Sequence, residues 1–367
     1  MCLIIVLGFS CLYAYYYLGV YVDYAPNAPV TTFMKADEDT IYMERDGVYE
    51  PFEIRGVDLG IAIPGEWATD FAIDEETYLR WFQMISDLGA NTIRVYTILH
   101  DDFYNAFYKY NTQREADGEE PLWLIHGVWV DDYSHNSHKD IYDEGLLPEM
   151  IEDCKTIIDI IHGQRFHLGR DGDGSGFYRN DVSKWVIGYI LGVEWEPSLV
   201  TYTDQNNPDK TEYVGKYMRT TDDATPFETA LAQLGDAVIE YETTRYKEQR
   251  LVAFSNWPAT DPFKYSVVTT VYRKKSTAVN VEHIQPTEEF ISGYFASYHV
   301  YPYYPDYLET EHQAEQYTRD DLRKIYTTNA LATYEHRIDL MDAVDINDYL
   351  TDADYYDSQG RFNTYRA

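Results

Sequence analysis

Six short apolar runs recur along the chain at intervals too wide for hairpins: Phe52–Gly60, Thr92–Leu99, Leu122–Val130, Trp185–Gly192, Leu251–Asn256 and Gly293–Tyr301. Each has the length and composition of a buried strand. Helical patterns fill the gaps. Asp74 is placed to cap a helix whose apolar stripe is Tyr78, Trp81, Phe82, Ile85 and Leu88, closed by Gly89. Met150, Ile151, Cys154, Ile157, Ile158 and Ile161 repeat at helical spacing before the fourth run. Thr225-Pro226 opens a helix before the fifth, with Leu231, Leu234, Val238 and Tyr241 inward. Strands separated by helices can join only through crossovers, which makes the sheet parallel.

The regular beat, with polar and aromatic residues after each strand, favours a TIM (β/α)8-type barrel over a doubly wound sheet. No Gly-rich phosphate loop follows any strand, so neither a nucleotide nor any other cofactor is expected. Only six strands can be counted before Ala367. Residues 309–348 read instead as an acidic helical insertion, with Leu322, Ile325, Leu331, Tyr334, Ile338 and Met341 as its apolar face. The expectation is thus an α/β fold, an incomplete barrel of about six βα units that is truncated before strand seven.

The 367 residues carry 63 acidic and 29 basic side chains, a formal charge of −34. That excess excludes DNA or RNA as a partner and disfavours anionic lipid head groups, because both need surplus Lys and Arg. A hydrophobic fraction of 45% excludes a disordered acidic chain. Tyrosine is in excess, at 37 residues. Such rings suit surfaces that are half apolar and half wet, sugar clefts among them, and equally replace Phe or Leu in a core. Cys2, Cys11 and Cys154 fall in no metal or disulfide spacing.

Met1 to Val22 carries no charge. As one helix it would be about 33 Å long, enough to span a bilayer. Tyr13, Tyr15, Tyr16 and Tyr17 gather toward its end like an interfacial belt. The expected layout is a transmembrane anchor (1–22), a connector (23–50) with a short strand near Ile41 to Met43, and a barrel domain (51–367). The barrel domain would be membrane-anchored and extracytoplasmic, with the membrane as a partner through the N-terminal helix.

Barrel enzymes carry their active sites at the C-terminal ends of the strands. Strand one ends in Arg55 and Asp58, followed by Glu66-Trp67, and strand two in Arg94 and Tyr96, followed by His100. Strand three supplies His126, Trp129, Asp131 and Asp132, and strand four Glu194, Trp195 and Glu196. Strand five supplies Asn256 and Trp257, and strand six His299, Tyr301 and further tyrosines. Carboxylates, aromatic faces, His and Arg together suit a neutral polyhydroxylated ligand, with rings on sugar C–H faces and polar groups on hydroxyls. The candidate substrate-binding residues are Arg94, Tyr96, His126, Trp129, Asp131, Trp195, Asn256, Trp257, His299 and Tyr301. Each singly also has a packing explanation.

The phrases FEIRGVDLG, ANTIRVYTILHDDFY, VIGYILGVEWEP and SYHVYPYYPDY resemble the clan A glycoside hydrolases, over roughly residues 52–307. That resemblance implies a (β/α)8 barrel, a general acid/base Glu after strand four and a nucleophilic Glu after strand seven. It implies that Glu194 is the catalytic acid/base, that Arg94, His299 and Tyr301 surround the sugar or nucleophile, and that the substrate is a β-linked glycan. The chain departs from the family at Val193, where the family has Asn, and in offering no second Glu for a two-carboxylate mechanism. A non-catalytic carbohydrate-binding module, or a structural domain of a larger membrane protein, is the alternative.

Other signals are slighter. Asp171-Gly-Asp173-Gly-Ser175-Gly176 matches the first half of a calcium loop, but Val182 stands at the position of the bidentate Glu, and a Gly-rich turn is the simpler reading. His135 and His138 lack a positioned carboxylate, so no metal is expected. No Gly-x-Ser-x-Gly elbow supports a serine triad.

Overall fold

The computed structural model describes residues 2–37, 40–129, 140–143, 145–170, 172–192, 194–262 and 277–299. After a first helix, α1 (Cys2–Tyr16), three short strands form an antiparallel sheet: β1 (Met34–Asp37), β2 (Thr40–Arg45) and β3 (Val48–Pro51). The six apolar runs then appear as β4 (Gly56–Asp58), β5 (Thr92–Val95), β6 (Trp123–Val128), β9 (Val186–Leu191), β11 (Leu251–Asn256) and β13 (Tyr294–Tyr298). They pair in parallel and in chain order, from β4 to β13. Two small antiparallel pairs sit outside this sheet. One joins β7 (Arg165–His167) to β8 (Gly176–Tyr178), the other β10 (Met218–Thr220) to β12 (Ile284–Pro286).

The helices begin where their caps dictate. In α2 (Glu75–Asp87) the Asp74 carboxylate accepts from the Thr77 N–H at 2.9 Å. In α6 (Pro226–Tyr246) Thr225 and Glu228 form a reciprocal capping box with Pro226 in the first turn. The other helices are α3 (Asp101–Ala116), α4 (Leu146–Ile161) and α5 (Pro197–Asn206). No helix was expected where α3 lies, because its inward positions are mostly aromatic (Phe103, Tyr104, Phe107, Tyr110) and its moment is diluted by polar residues between them.

Period-two alternation, interrupted once in β9 at its register shift against β6, sorts the sheet residues onto two faces. Ile93, Val95, Leu124, Val128, Val252 and Phe254 join the large core with the helices. Ile125, Ile187, Ile190, Leu251 and Ala253 point to the opposite, inner face, where Met34 of β1 and Met43 of β2 cover them. The stretch read as a connector is therefore a plug. Each of the two methionines, buried to 2% exposure or less, contributes about 1.5–3 kcal/mol.

Two expectations are corrected. The expected incomplete (β/α)8-type barrel behind a transmembrane helix is instead a six-stranded parallel half-barrel without that helix among the described residues: β4 and β13 are its edges, and among the described residues no strand joins them. The insertion expected at 309–348 lies outside the described residues. The N-terminal helix ends at Tyr16, so its 15 residues reach only about 22 Å, short of the roughly 30 Å of a bilayer core. Among the described residues no helix is long and apolar enough to cross a membrane. The expected anchor, the membrane as its partner and the membrane-anchored, extracytoplasmic location are withdrawn with it. The physical reason is that residues 15–23 are committed to the domain. Tyr15 Oη donates to Gln164 at 2.6 Å, Arg245 donates to the Gly19 carbonyl at 2.7 Å, and Asp23 pairs with Lys247 at 2.7 Å. Gly19, at φ 67°, makes the turn that lets them.

Candidate active site

Four of the candidate residues meet at the C-terminal end of the sheet. His299 follows β13 and extends its ladder, its N–H donating to the Asn256 carbonyl at 2.8 Å. Its Nε2 lies 3.2 Å from Arg94 Nη2 and 3.4 Å from Ser255 Oγ, and its Nδ1 lies 2.8 Å from Glu194 Oε1. A guanidinium only donates, so Nε2 accepts and the ring proton sits on Nδ1, donated to Glu194. The Glu194 side chain is 28% exposed against 11% for His299, so the carboxylate meets solvent while the imidazole braces it from beneath.

Tyr96 completes the group. Its ring lies 4.6 Å from the Arg94 guanidinium, and its hydroxyl donates to Asp58 at 2.8 Å. Burial first, and the Asp58 carboxylate next, push the phenol up to about 12, so it stays a donor at neutral pH. Asp58 was named at the end of strand one but not as a substrate-binding residue, and Ser255 was not named. In the structure period two places Asp58, Arg94 and Ser255 together on the inner face.

Two indoles fix the loop that carries Glu194. Trp195 is fully buried and donates Nε1–H to the Ser255 carbonyl at 2.9 Å, and Trp257 donates to the Trp195 carbonyl at 2.9 Å. Gly192 lies against the Trp195 ring with φ 86°, and a Cβ there would come within 2.1 Å of Cζ2. Trp195 and Trp257 are thus scaffolding beneath the site rather than open platforms.

The remaining candidates lie elsewhere. His126 is buried on the helix-covered face, between the Tyr104 hydroxyl at 2.7 Å and the Gly127 carbonyl at 2.8 Å, and burial pushes it down to about 4. Asn256 is buried too, its amide donating to the Val279 carbonyl and its Oδ1 accepting from the Trp257 N–H and the Thr260 hydroxyl. Trp129, 46% exposed, follows β6 at the rim. Asp131 and Tyr301 lie outside the described residues, as does Asp171 of the Gly-rich turn. In that turn Asp173 is taken by the Thr97 hydroxyl at 3.0 Å and by His167 at 3.3 Å. Gly174 passes so close to the β5–α3 junction that a Cβ would meet the His100 nitrogen at 2.3 Å. The turn is a packed bracket.

No protein-family model matches the chain, and no curated protein matches it. Among solved structures, an endo-laminarinase from Formosa Hel1_33_131 aligns at 12% identity with a TM-score of 0.39, over 80% of this chain and 64% of that one. The chain therefore spans less than two thirds of that enzyme's length. So slight a likeness bears on neither family nor activity.

Proposed function

We propose that the rim around Glu194 is a carbohydrate site of glycoside-hydrolase type, acting on a β-linked glycan. The observation that carries this reading is the Arg94–His299–Glu194 chain of contacts at 3.2 and 2.8 Å. It holds one half-exposed carboxyl in a single orientation, as acid/base work requires. In hydrolysis the Glu194 carboxyl gives its proton to the glycosidic oxygen as the bond to the anomeric carbon breaks, water supplies the hydroxyl to that carbon, and the water's remaining proton returns to the carboxylate. Arg94 presents donors and Tyr96 an acceptor oxygen to sugar hydroxyls, and Trp129 offers a ring for stacking.

The second reading is recognition without turnover. It is favoured by Asp58, the other carboxylate of the group, being engaged by the Tyr96 hydroxyl at 2.8 Å. The two readings part on one experiment, with activated aryl β-glycosides and a glycan panel in affinity electrophoresis. Hydrolysis should fall by about 10²–10⁴ in Glu194→Gln with the fold intact. Retardation without hydrolysis in the wild type selects the recognition reading, and neither retardation nor hydrolysis discards both.

A further inference from the structure

At the other end of the sheet, where its strands begin, a groove of about 410 Å³ opens between the plug and the domain. Phe33 and Trp123 form its apolar wall, their rings 5.9 Å apart. Most of its polar groups are already used. Thr32 donates to the Met34 carbonyl at 2.8 Å, and the Gln249 amide donates to Thr243 and the Glu289 carbonyl while accepting from the Ile291 N–H. The Lys184 ammonium pairs with Glu115 at 2.7 Å and lies 4.3 Å from the Trp185 ring. Glu44 accepts the Gly47 N–H through Oε1 alone. What remains for a ligand is carboxylate, from Glu44 and Glu248.

Behind Glu248 the charges do not balance. Its carboxylate takes Arg250 Nη2 at 2.5 Å, but the same guanidinium also holds Glu242. The fourth member, His162, lies 3.1 Å from Glu242 and stacks on Tyr246 at 3.7 Å. Burial, with Arg250 next, drives its imidazole far below the ordinary range, so it adds no charge. Two carboxylates therefore share one buried guanidinium, and Asp181 adds a further negative field. Once Glu248 ionises, the surplus emerges at its carboxylate, whose side chain is 38% exposed into the groove. A metal ion among His162, Glu242 and Glu248 would sit against Arg250, which already occupies that space.

We propose that this groove binds an organic ammonium cation with an apolar body, the ammonium facing Glu248 and Glu44 and the hydrocarbon lying on Trp123. The cation supplies the positive charge the cluster lacks, and the indole face removes the hydrocarbon body from water. The site is separate from the rim and does not depend on the glycan reading.

Titration calorimetry of the full chain with 2-phenylethylammonium, and with neutral 2-phenylethanol as its isostere, tests this. The ammonium should bind and the alcohol should not. Burial holds Glu248 at about 7, with Asp181 adding to it, so the carboxylate forms only as the pH rises through that value. Affinity should accordingly fall about tenfold or more from pH 8.5 to 5.5. Glu248→Gln should weaken binding at least about tenfold and abolish that dependence. Glu44→Gln, away from the buried network, should weaken binding while leaving the melting temperature unchanged, which keeps the test decisive if Glu248→Gln misfolds. Equal binding of the alcohol, unchanged affinity in Glu44→Gln, or no heat from the ammonium at millimolar concentration would each overturn the proposal.

Discussion

Gly192→Ala perturbs the geometry that aims Glu194 without touching any group at the rim. Gly192 has φ 86°, a conformation that costs a residue with a Cβ about 1–2 kcal/mol. The added methyl would also fall 2.1 and 2.3 Å from two atoms of the Trp195 ring. That ring is fully buried against Phe227, with centroids 5.2 Å apart, so it has no easy retreat, and overpacking of this kind costs about 1–3 kcal/mol. The sum is about 2–5 kcal/mol. Urea unfolding followed by tryptophan fluorescence measures it. In a Trp195→Leu background the clash disappears and only the backbone cost should remain, leaving a coupling of about 1–3 kcal/mol between the two sites. Because Trp195 is the chain neighbour of Glu194, the folded variant should also lose glycan binding or hydrolysis. A cost below about 1 kcal/mol, or equal costs in the two backgrounds, would refute the packing argument.

Asp159→Asn should destabilise the fold by about 3–5 kcal/mol in urea, since it leaves a buried guanidinium without its counter-charge. Asp159 is fully buried and accepts from Arg245 at 3.1 Å, from Tyr241 at 2.9 Å and from Tyr246 at 2.8 Å. A smaller loss in an Arg245→Met background than in the wild type would support that cause, and an equal loss would exclude it. Asp204 supplies a pH test. It accepts the Phe227 N–H at 2.9 Å at the start of α6, and burial pushes it up to about 6. The folded chain then binds the proton more tightly than the unfolded one, so this contribution is greatest in acid and is lost as pH rises from about 4 to 6. His126, pushed down to about 4, acts in the opposite sense by losing stability as pH falls below its ordinary value. The readout is therefore the difference between Asp204→Asn and wild type: the variant should lose less stability between pH 4.5 and 6.5, and parallel profiles would remove Asp204 from the account.

The six strands were legible because each is a continuous apolar run between turn residues, which is how a strand buried on both faces reads. The candidate site was placed at their C-terminal ends. What did not follow was the face on which each side chain stands. His126 lies between Ile125 and Gly127 on β6, and Ile125 faces the plug, so His126 must face the helices. Asn256 stands one residue past Ser255 and is turned away for the same reason, while Ser255 was passed over. One residue of strand register separates a site group from a core group, and an unbroken apolar run carries no alternation from which to read that register. The N-terminus failed for a different cause. Hydropathy over 22 uncharged residues cannot reveal that Tyr15 and Tyr21 have a buried arginine to surround, nor that Gly19 turns the chain toward it.

The excess of tyrosine and the excess of acid are one feature. With 63 carboxylates against 29 Lys and Arg, most acids here lack a cationic partner, and a carboxylate taken out of water needs donors. Phenols fill the gap. Asp159 takes two of them, Glu242 takes Tyr189 at 2.9 Å, Asp236 takes Tyr213 at 3.1 Å and Asp58 takes Tyr96 at 2.8 Å. Desolvation raises the phenols of Tyr241, Tyr213 and Tyr96, so they remain donors across the pH range in which the carboxylates ionise. The rings add the apolar area that a Lys or Arg partner would not. Where a cation is present they serve it too: Tyr15, Tyr21, Tyr241 and Tyr246 stand 5.1 to 5.8 Å from Arg245, over the same Asp159. A Tyr→Phe change at any of these positions keeps the packing and removes the donor, so its cost should track how deeply the accepting carboxylate is buried, greatest at Asp159 and least at Asp58.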